Sequence, residues 1–210
     1  MPKVKICGIT NAQDALWAVN LGADFVGLNF CALSPRKVSV KHARELSAQI
    51  PPFVGVVGVF VDEPLENLAK ITKSVPLKLV QLHGAETPEF CREARALGLK
   101  VIKALRLTKP LEAADTDPYL GSVDYFLFDS FSPDVAGGTG EAFNWDWLQA
   151  APTLSIPWIL AGGLTPENVG EAAKKSQAPL VDVCSGVERA PTRKDYDKMK
   201  SFIQAARAVR

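Results

Sequence analysis

Hydrophobic and polar residues along the chain follow two alternating periods. Near the start, Val4-Lys5-Ile6-Cys7 sets Val4 and Ile6 on one face of an extended segment and Lys5 and Cys7 on the other, and Gly8 then releases the backbone. Seven more strand-like runs follow, at 23–30, 53–60, 77–83, 99–106, 123–128, 158–161 and 180–184. Helical spacing fills the intervals. Thr10 and Gln13 read as a capping box opening a helix through Ala12–Asn20 that stops at Gly22. A second helix is predicted at 40–49, a third from Pro64 onward, and a fourth with Thr87 as N-cap, Pro88 in its first turn and Gly98 past its end. The pattern weakens at 111–114, ahead of Pro118, and resumes after Asn144, after Thr165-Pro166 and over 195–209.

Eight strand–helix units in 210 residues leave roughly 26 residues per unit, near the minimum for a parallel crossover. An open doubly wound sheet and a closed (β/α)8 TIM barrel are both assembled this way. Two features favour one α/β domain over 1–210 built as a (β/α)8 barrel. The rhythm is unbroken by any linker or low-complexity segment, and several strands carry polar residues on one face: Lys5 and Cys7, Gln81 and His83, Asp182 and Cys184. Such a face suits a barrel lumen better than a sheet covered by helices on both sides.

A formal net charge of +1 gives no basic face for nucleic acid or anionic lipid, so the expected partner is a small molecule. The longest apolar run, 53–61, is broken by two glycines and is about half the length a membrane helix needs. The N-terminus enters strand pattern directly, which points to a cytoplasmic protein. Four cysteines, at 7, 31, 91 and 184, form no CxxC pair and are expected as reduced thiols. Neither His42 nor His83 has a metal-ligand spacing, so no metal is expected. No obligate protein partner is marked by the sequence.

In a (β/α)8 barrel the reactive groups sit at strand C-termini. Cys7 ends the first strand and Asp129 the sixth; each is a candidate for proton transfer, against the plain readings of a small buried hydrophobe and a turn cap. Backbone amides free of side-chain obstruction suit a phosphate. Gly162 and Gly163 after the seventh strand, and Ser185 and Gly186 after the eighth, offer them, although paired glycines also punctuate ordinary loops. Arg36, in a long loop after the second strand, carries a fork of donors suited to a carboxylate. Lys5 and Asp182 should face inward from strands that become neighbours on closure, and a buried charge demands a partner, so they are expected to pair. His83 lines the pocket or is a hydrogen-bonded structural histidine, and both readings stay open. The connection 130–143, with Gly137, Gly138 and Gly140, exceeds usual loop lengths and reads as a substrate-covering lid, with plain surface disorder as the alternative. Trp145 and Trp147 read as packing residues.

The stretches VKICGIT, VGLNF, SPR, VGVF, VQLHG, FLFDS, GGTG, LAGGLTPENV and DVCSGVE, spread over essentially the whole chain, resemble phosphoribosylanthranilate isomerase, a sugar-phosphate isomerase family of tryptophan biosynthesis. The resemblance implies a cofactor-free Amadori rearrangement of N-(5-phosphoribosyl)anthranilate. Cys7 would be general base, Asp129 general acid, Arg36 the carboxylate ligand, the LAGG and SGVE glycines the phosphate cradle, and Asp182 a member of the same pocket. It further requires the thiol pKa to move down and the carboxyl pKa up, the latter with an apolar wall such as Phe128 or Phe131. The chain departs from the pattern at Cys184, where serine is usual, at 189–195, which lacks a glycine before Lys194-Asp195, and at Asn144, where aspartate is common. Rival readings are a histidine-pathway sugar-phosphate isomerase, which would use paired aspartates, and a non-catalytic phosphate-binding barrel.

Overall fold

The computed structural model describes residues 1–130 and 144–209. Eight parallel strands, β1 (Lys3–Ile6), β2 (Phe25–Asn29), β3 (Gly55–Phe60), β4 (Leu79–Leu82), β5 (Lys100–Leu107), β6 (Tyr125–Ser130), β7 (Trp158–Leu160) and β8 (Leu180–Val183), close in sequence order into a barrel. Closure is made by β1 lying beside β8 in the register Lys3↔Leu180 through Ile6↔Val183. Helices α1 (Ala12–Asn20), α2 (Val40–Ser47), α3 (Leu65–Ser74), α4 (Pro88–Ala96), α5 (Ala113–Thr116), α6 (Val169–Ser176) and α7 (Tyr196–Arg207) lie between and after the strands. A short antiparallel pair, β9 (Glu188–Ala190) with β10 (Arg193–Lys194), follows β8.

Alternation along each strand sorts its residues between two environments. The outward faces of the strands meet the helices in the main core, which includes Val4, Ile6, Val26, Leu28, Phe126 and Phe128. The inward faces stack in layers supplied by alternate strands, as such barrels require. Phe25, Leu79, Tyr125 and Leu180 fill the N-terminal end, followed by Lys5, Val57, Ile102 and Ile159, then Gly27, Gln81, Leu127 and Asp182. Cys7, Val59, Ala104 and Ala161 form the next layer, and His83, Asp129 and Cys184 stand above it at the C-terminal mouth. The lumen is therefore apolar at its base and becomes polar toward the mouth, the end at which such barrels bind their ligands.

Local details differ from the sequence expectation in three places. Asn11, not Thr10, caps α1: its side chain accepts from the Asp14 amide at 2.9 Å, while the Thr10 hydroxyl donates to the Thr192 carbonyl at 2.7 Å, and asparagine outranks threonine as an N-cap. Asn144 caps only a 3-10 turn, Trp145–Leu148. The segment continues as a second short 3-10 turn, Ala151–Thr153, with Pro152 in its first turn. After β7 the helix follows Thr165-Pro166 as expected, beginning at Val169. Residues 188–194 form the β9–β10 hairpin where a loop was expected. Trp145 and Trp147 are partly buried against the main core, as packing residues are. No helix among the described residues is long and apolar enough to cross a membrane.

Candidate active site

Lys5 is fully buried in the lumen, and its ammonium donates to Asp182 Oδ1 and to Gln81 Oε1, each at 3.0 Å. Burial alone would lower the Lys5 pKa; the Asp182 charge and hydrogen bond, with a contribution from Cys7, outweigh it and hold the ammonium firmly protonated. Because Gln81 presents its carbonyl oxygen to Lys5, its amide nitrogen donates onward to His83 Nδ1 at 2.8 Å. That acceptor role leaves the proton on Nε2, which donates to Asp129 Oδ2 at 3.2 Å. Strands β1, β4, β6 and β8 are thus joined by one polar chain, Asp182–Lys5–Gln81–His83–Asp129, running from the closure seam to the mouth. Gln81, only 1% exposed, is the link that sequence reasoning did not single out as a site residue.

Cys7 lies one residue beyond β1, and its amide extends the ladder to the Val183 carbonyl at 2.8 Å. Register carries Cys184 to its side, and the two thiols share a hydrogen bond. That bond and burial hold the Cys7 thiol well above its ordinary pKa, against the positive charge of Lys5. The same bond lowers Cys184 to about 7 despite its burial, aided by the charges of Lys194 and Arg36. The expected downward shift of Cys7 therefore appears on its neighbour, because the Cys7 S–H is the donor and the Cys184 sulfur lies closer to the cations.

Those cations belong to a cluster that the sequence did not expose. Glu188 accepts from Arg36 Nε at 2.8 Å and Nη2 at 2.7 Å, and from the fully buried Lys194 Nζ at 3.1 Å. Lys194 also donates to the Cys184 carbonyl at 2.9 Å and lies 3.8 Å from its sulfur. Burial pushes the Glu188 carboxyl up, but Arg36 and Lys194 prevail and hold it below the usual carboxylate value. Arg36, expected to meet a ligand carboxylate, is thus already bidentate to Glu188 through one edge of its guanidinium, and its Nη1 lies outside that pair.

The two glycine turns meet. Gly162 and Gly163 both adopt left-handed backbone, φ 84° and 63°, which orients the loop after β7 toward the mouth. Gly186 begins its approach so close to that loop that a Cβ would lie 2.0 Å from the Leu164 carbonyl. The amides of Gly162 and Gly163 find no acceptor among the described residues, and those of Ser185 and Gly186 open a helical turn, Ser185–Val187, where no preceding carbonyl serves them. Asn168 braces the β7 loop, accepting from the Thr165 amide at 2.8 Å and donating to the Gly163 carbonyl at 3.0 Å.

Of the other expected features, Phe128 does not wall Asp129. It sits on the helix side of β6, stacked on Phe126 at 6.0 Å and tilted against Trp158 at 5.7 Å, because adjacent strand residues face opposite ways. Phe131 and the expected lid glycines Gly137, Gly138 and Gly140 lie outside the described residues.

A closed eight-stranded parallel barrel with titratable groups and free amides gathered at its C-terminal mouth is the architecture of a (β/α)8-barrel enzyme. The family model for N-(5'phosphoribosyl)anthranilate (PRA) isomerase matches residues 4–205, and the chain belongs to that family, among the isomerases of tryptophan biosynthesis. It is 44% identical over 210 residues to the N-(5'-phosphoribosyl)anthranilate isomerase of Pelobacter propionicus, spanning 100% of this chain and 98% of that one. Among solved structures it resembles the phosphoribosyl anthranilate isomerase from Thermotoga maritima, with 41% identity, TM-score 0.90 and full coverage of both chains. A phosphoribosyl anthranilate isomerase in complex with reduced 1-(o-carboxyphenylamino)-1-deoxyribulose 5-phosphate is similar at 39% identity and TM-score 0.86, again with full coverage of both.

Proposed function

We propose that this chain, folded as one barrel domain over 1–210, converts N-(5-phosphoribosyl)anthranilate to 1-(2-carboxyphenylamino)-1-deoxyribulose 5-phosphate, with Asp129 as general acid and Cys7 as general base. The observation that carries the reading is the convergence on one mouth of Cys7, Asp129, the two glycine turns and the Arg36 cluster, in a chain that belongs to this family. Asp129 delivers a proton to the furanose ring oxygen, and the C1′–O bond breaks to give a Schiff base. Cys7, as thiolate, removes the C2′ proton, and the electron pair of that C–H bond moves toward the iminium to form an enolamine. Protonation at C1′ and loss of the enol proton then leave the C2′ ketone. Proton transfer suffices for every step.

The surroundings support these roles. The His83 Nε2–H fixes Oδ2 of Asp129, leaving Oδ1 to carry the proton. Cys184, the thiolate of the pair from about neutral pH upward, is the neighbouring acceptor to which Cys7, held above its ordinary value, gives up its proton before acting as base. The Gly162, Gly163, Ser185 and Gly186 amides bind the phosphate, with Asp182 fixing Lys5 beneath them. Arg36 offers Nη1 to the anthranilate carboxylate while Glu188 anchors its other edge. The test is turnover of freshly generated phosphoribosylanthranilate, followed as loss of its fluorescence. Cys7→Ser and Asp129→Asn should each lower kcat by about 10²–10⁴-fold with folding intact. A wild type that binds the substrate without turning it over, or either variant at wild-type kcat, overturns the assignment.

A further inference from the structure

Cys7 and Cys184 lie side by side across the seam where β1 closes on β8. The pairing Lys5↔Asp182 and Ile6↔Val183 continues one step through the Cys7 amide bond to Val183, so the two cysteines are direct neighbours on adjacent parallel strands. Neighbouring strands run about 4.8 Å apart, within the Cα separations of about 4.4–6.8 Å that a disulfide spans. Both side chains follow the lumenal face of Lys5 and Asp182, and each thiol bears on the titration of the other. The other two cysteines are elsewhere, Cys31 on the loop after β2 and Cys91 buried in α4.

We propose that Cys7 and Cys184 form a redox-modification site, a dithiol that a hydroperoxide converts to a disulfide across the β1–β8 seam. Cys184 is the sulfur that reacts first. It is the more exposed of the two, and it faces Lys194 Nζ at 3.8 Å with the Arg36 guanidinium nearby, surroundings that favour a thiolate. Its thiolate attacks one peroxide oxygen, the O–O bond breaks, and the departing hydroxide takes a proton to become water, leaving a sulfenic acid on Cys184. The Cys7 sulfur, on the neighbouring strand, attacks the Cys184 sulfur and loses its proton. The S–O bond then breaks, hydroxide leaves as a second water, and the disulfide remains. Two thiols and one peroxide thus give one disulfide and two waters. A serine at 184 would have no such chemistry.

The consequence for turnover rests on the reading of Cys7 as the base, and the test separates the two. Wild type, Cys184→Ser and Cys31→Ser are exposed to hydrogen peroxide; free thiols are counted in denaturant, the intact mass is measured, and peptides are mapped without reduction. Wild type and Cys31→Ser should each lose two thiols and about 2 Da, with the Cys7 and Cys184 peptides linked, and a dithiol reductant should restore both mass and activity. Cys184→Ser should show no such link and, relative to its own starting activity, should be inactivated by peroxide at least roughly tenfold more slowly. Oxidation of wild type without a Cys7–Cys184 link, or a link through Cys31 instead, overturns the proposal. A Cys7–Cys184 link formed with turnover undiminished confirms the site and refutes Cys7 as the base.

Discussion

Replacing Lys5 by methionine is the most direct probe of what the lumen costs and what holds it. The side chain is 1% exposed and its two partners, Asp182 Oδ1 and Gln81 Oε1, each lie 3.0 Å away. Methionine fills nearly the same volume, so the loss is electrostatic: a carboxylate 9% exposed is left without its cation. Breaking a buried pair from one side costs about 3–5 kcal/mol. With an unfolding entropy of about 2.1 cal/mol/K per residue, a chain of this length loses about 2 °C per kcal/mol, so Tm should fall by about 7–11 °C. Activity should fall too, because the Cys7 thiolate loses the positive charge below it. The control is Lys5→Met/Asp182→Leu, which removes both charges and leaves only the Gln81 oxygen unpaired, a cost of about 1–3 kcal/mol. The double variant should therefore be more stable than Lys5→Met alone. Urea unfolding read by far-UV circular dichroism and tryptophan fluorescence supplies the numbers. A single variant within about 1 kcal/mol of wild type, or a double variant no more stable than the single, refutes the view that Asp182 depends on Lys5 for its charge.

Three further outcomes follow from the mouth. Glu188→Gln leaves the buried Lys194 unpaired and should destabilise by about 3–5 kcal/mol at neutral pH. The groups facing Glu188 are Arg36 and Lys194, with Lys198 on its carbonyl. They depress its folded pKa, so its contribution is complete above the ordinary carboxylate value of 4.5 and is lost as pH falls through the folded value; the gap between wild type and Glu188→Gln in unfolding free energy should narrow on acidification below about 4.5 and would count against the pairing if it widened. Gly186→Ala drives a Cβ to within 2.0 Å of the Leu164 carbonyl, forcing the two glycine turns apart, and should raise KM for the phosphorylated substrate by at least about tenfold, whereas an unchanged KM would remove these turns from the binding site. Iodoacetamide labelling of Cys184, followed by peptide mass against pH, should show a midpoint near 7, set by Cys7 from β1, Lys194 from β10, Arg36 from the β2 loop and Glu188 from β9. Cys7→Ala removes the principal donor and should move that midpoint upward, and an unmoved midpoint would show that the cations alone set it.

How much of this could be read from residues depends on the range of the interaction. The barrel was legible because lumenal polarity is local: Lys5 with Cys7, Gln81 with His83 and Asp182 with Cys184 each repeat at the strand period of two. Strand ends differ from the expected ones by one or two residues, as at Leu79–Leu82 against 77–83. The Lys5–Asp182 pair was legible for a related reason, since closing a barrel must bring the first strand to the eighth. The network through Gln81 was not, because it depends on which amide atom meets Lys5, 76 residues away in sequence. Arg36 and Glu188 are separated by 152 residues, and Glu188 and Lys194 reach the site on strands of three and two residues, too short to show any period.

The thiol pair shows where that boundary falls. The register that sets Lys5 against Asp182 brings Cys7 to Cys184 two residues later, so their contact is a consequence of closure together with strand periodicity. The direction of proton sharing is not. Lys5, two layers below, draws negative charge toward Cys7, while Lys194 and Arg36 draw it toward Cys184. On Cys184 the bond from Cys7 acts first, and Lys194, carried by the β9–β10 hairpin to 3.8 Å from the sulfur, adds to it together with Arg36, which Glu188 holds in place. Hence a two-residue strand that no pattern of hydrophobic positions announces adds a buried cation beside Cys184, the sulfur that a peroxide would reach first.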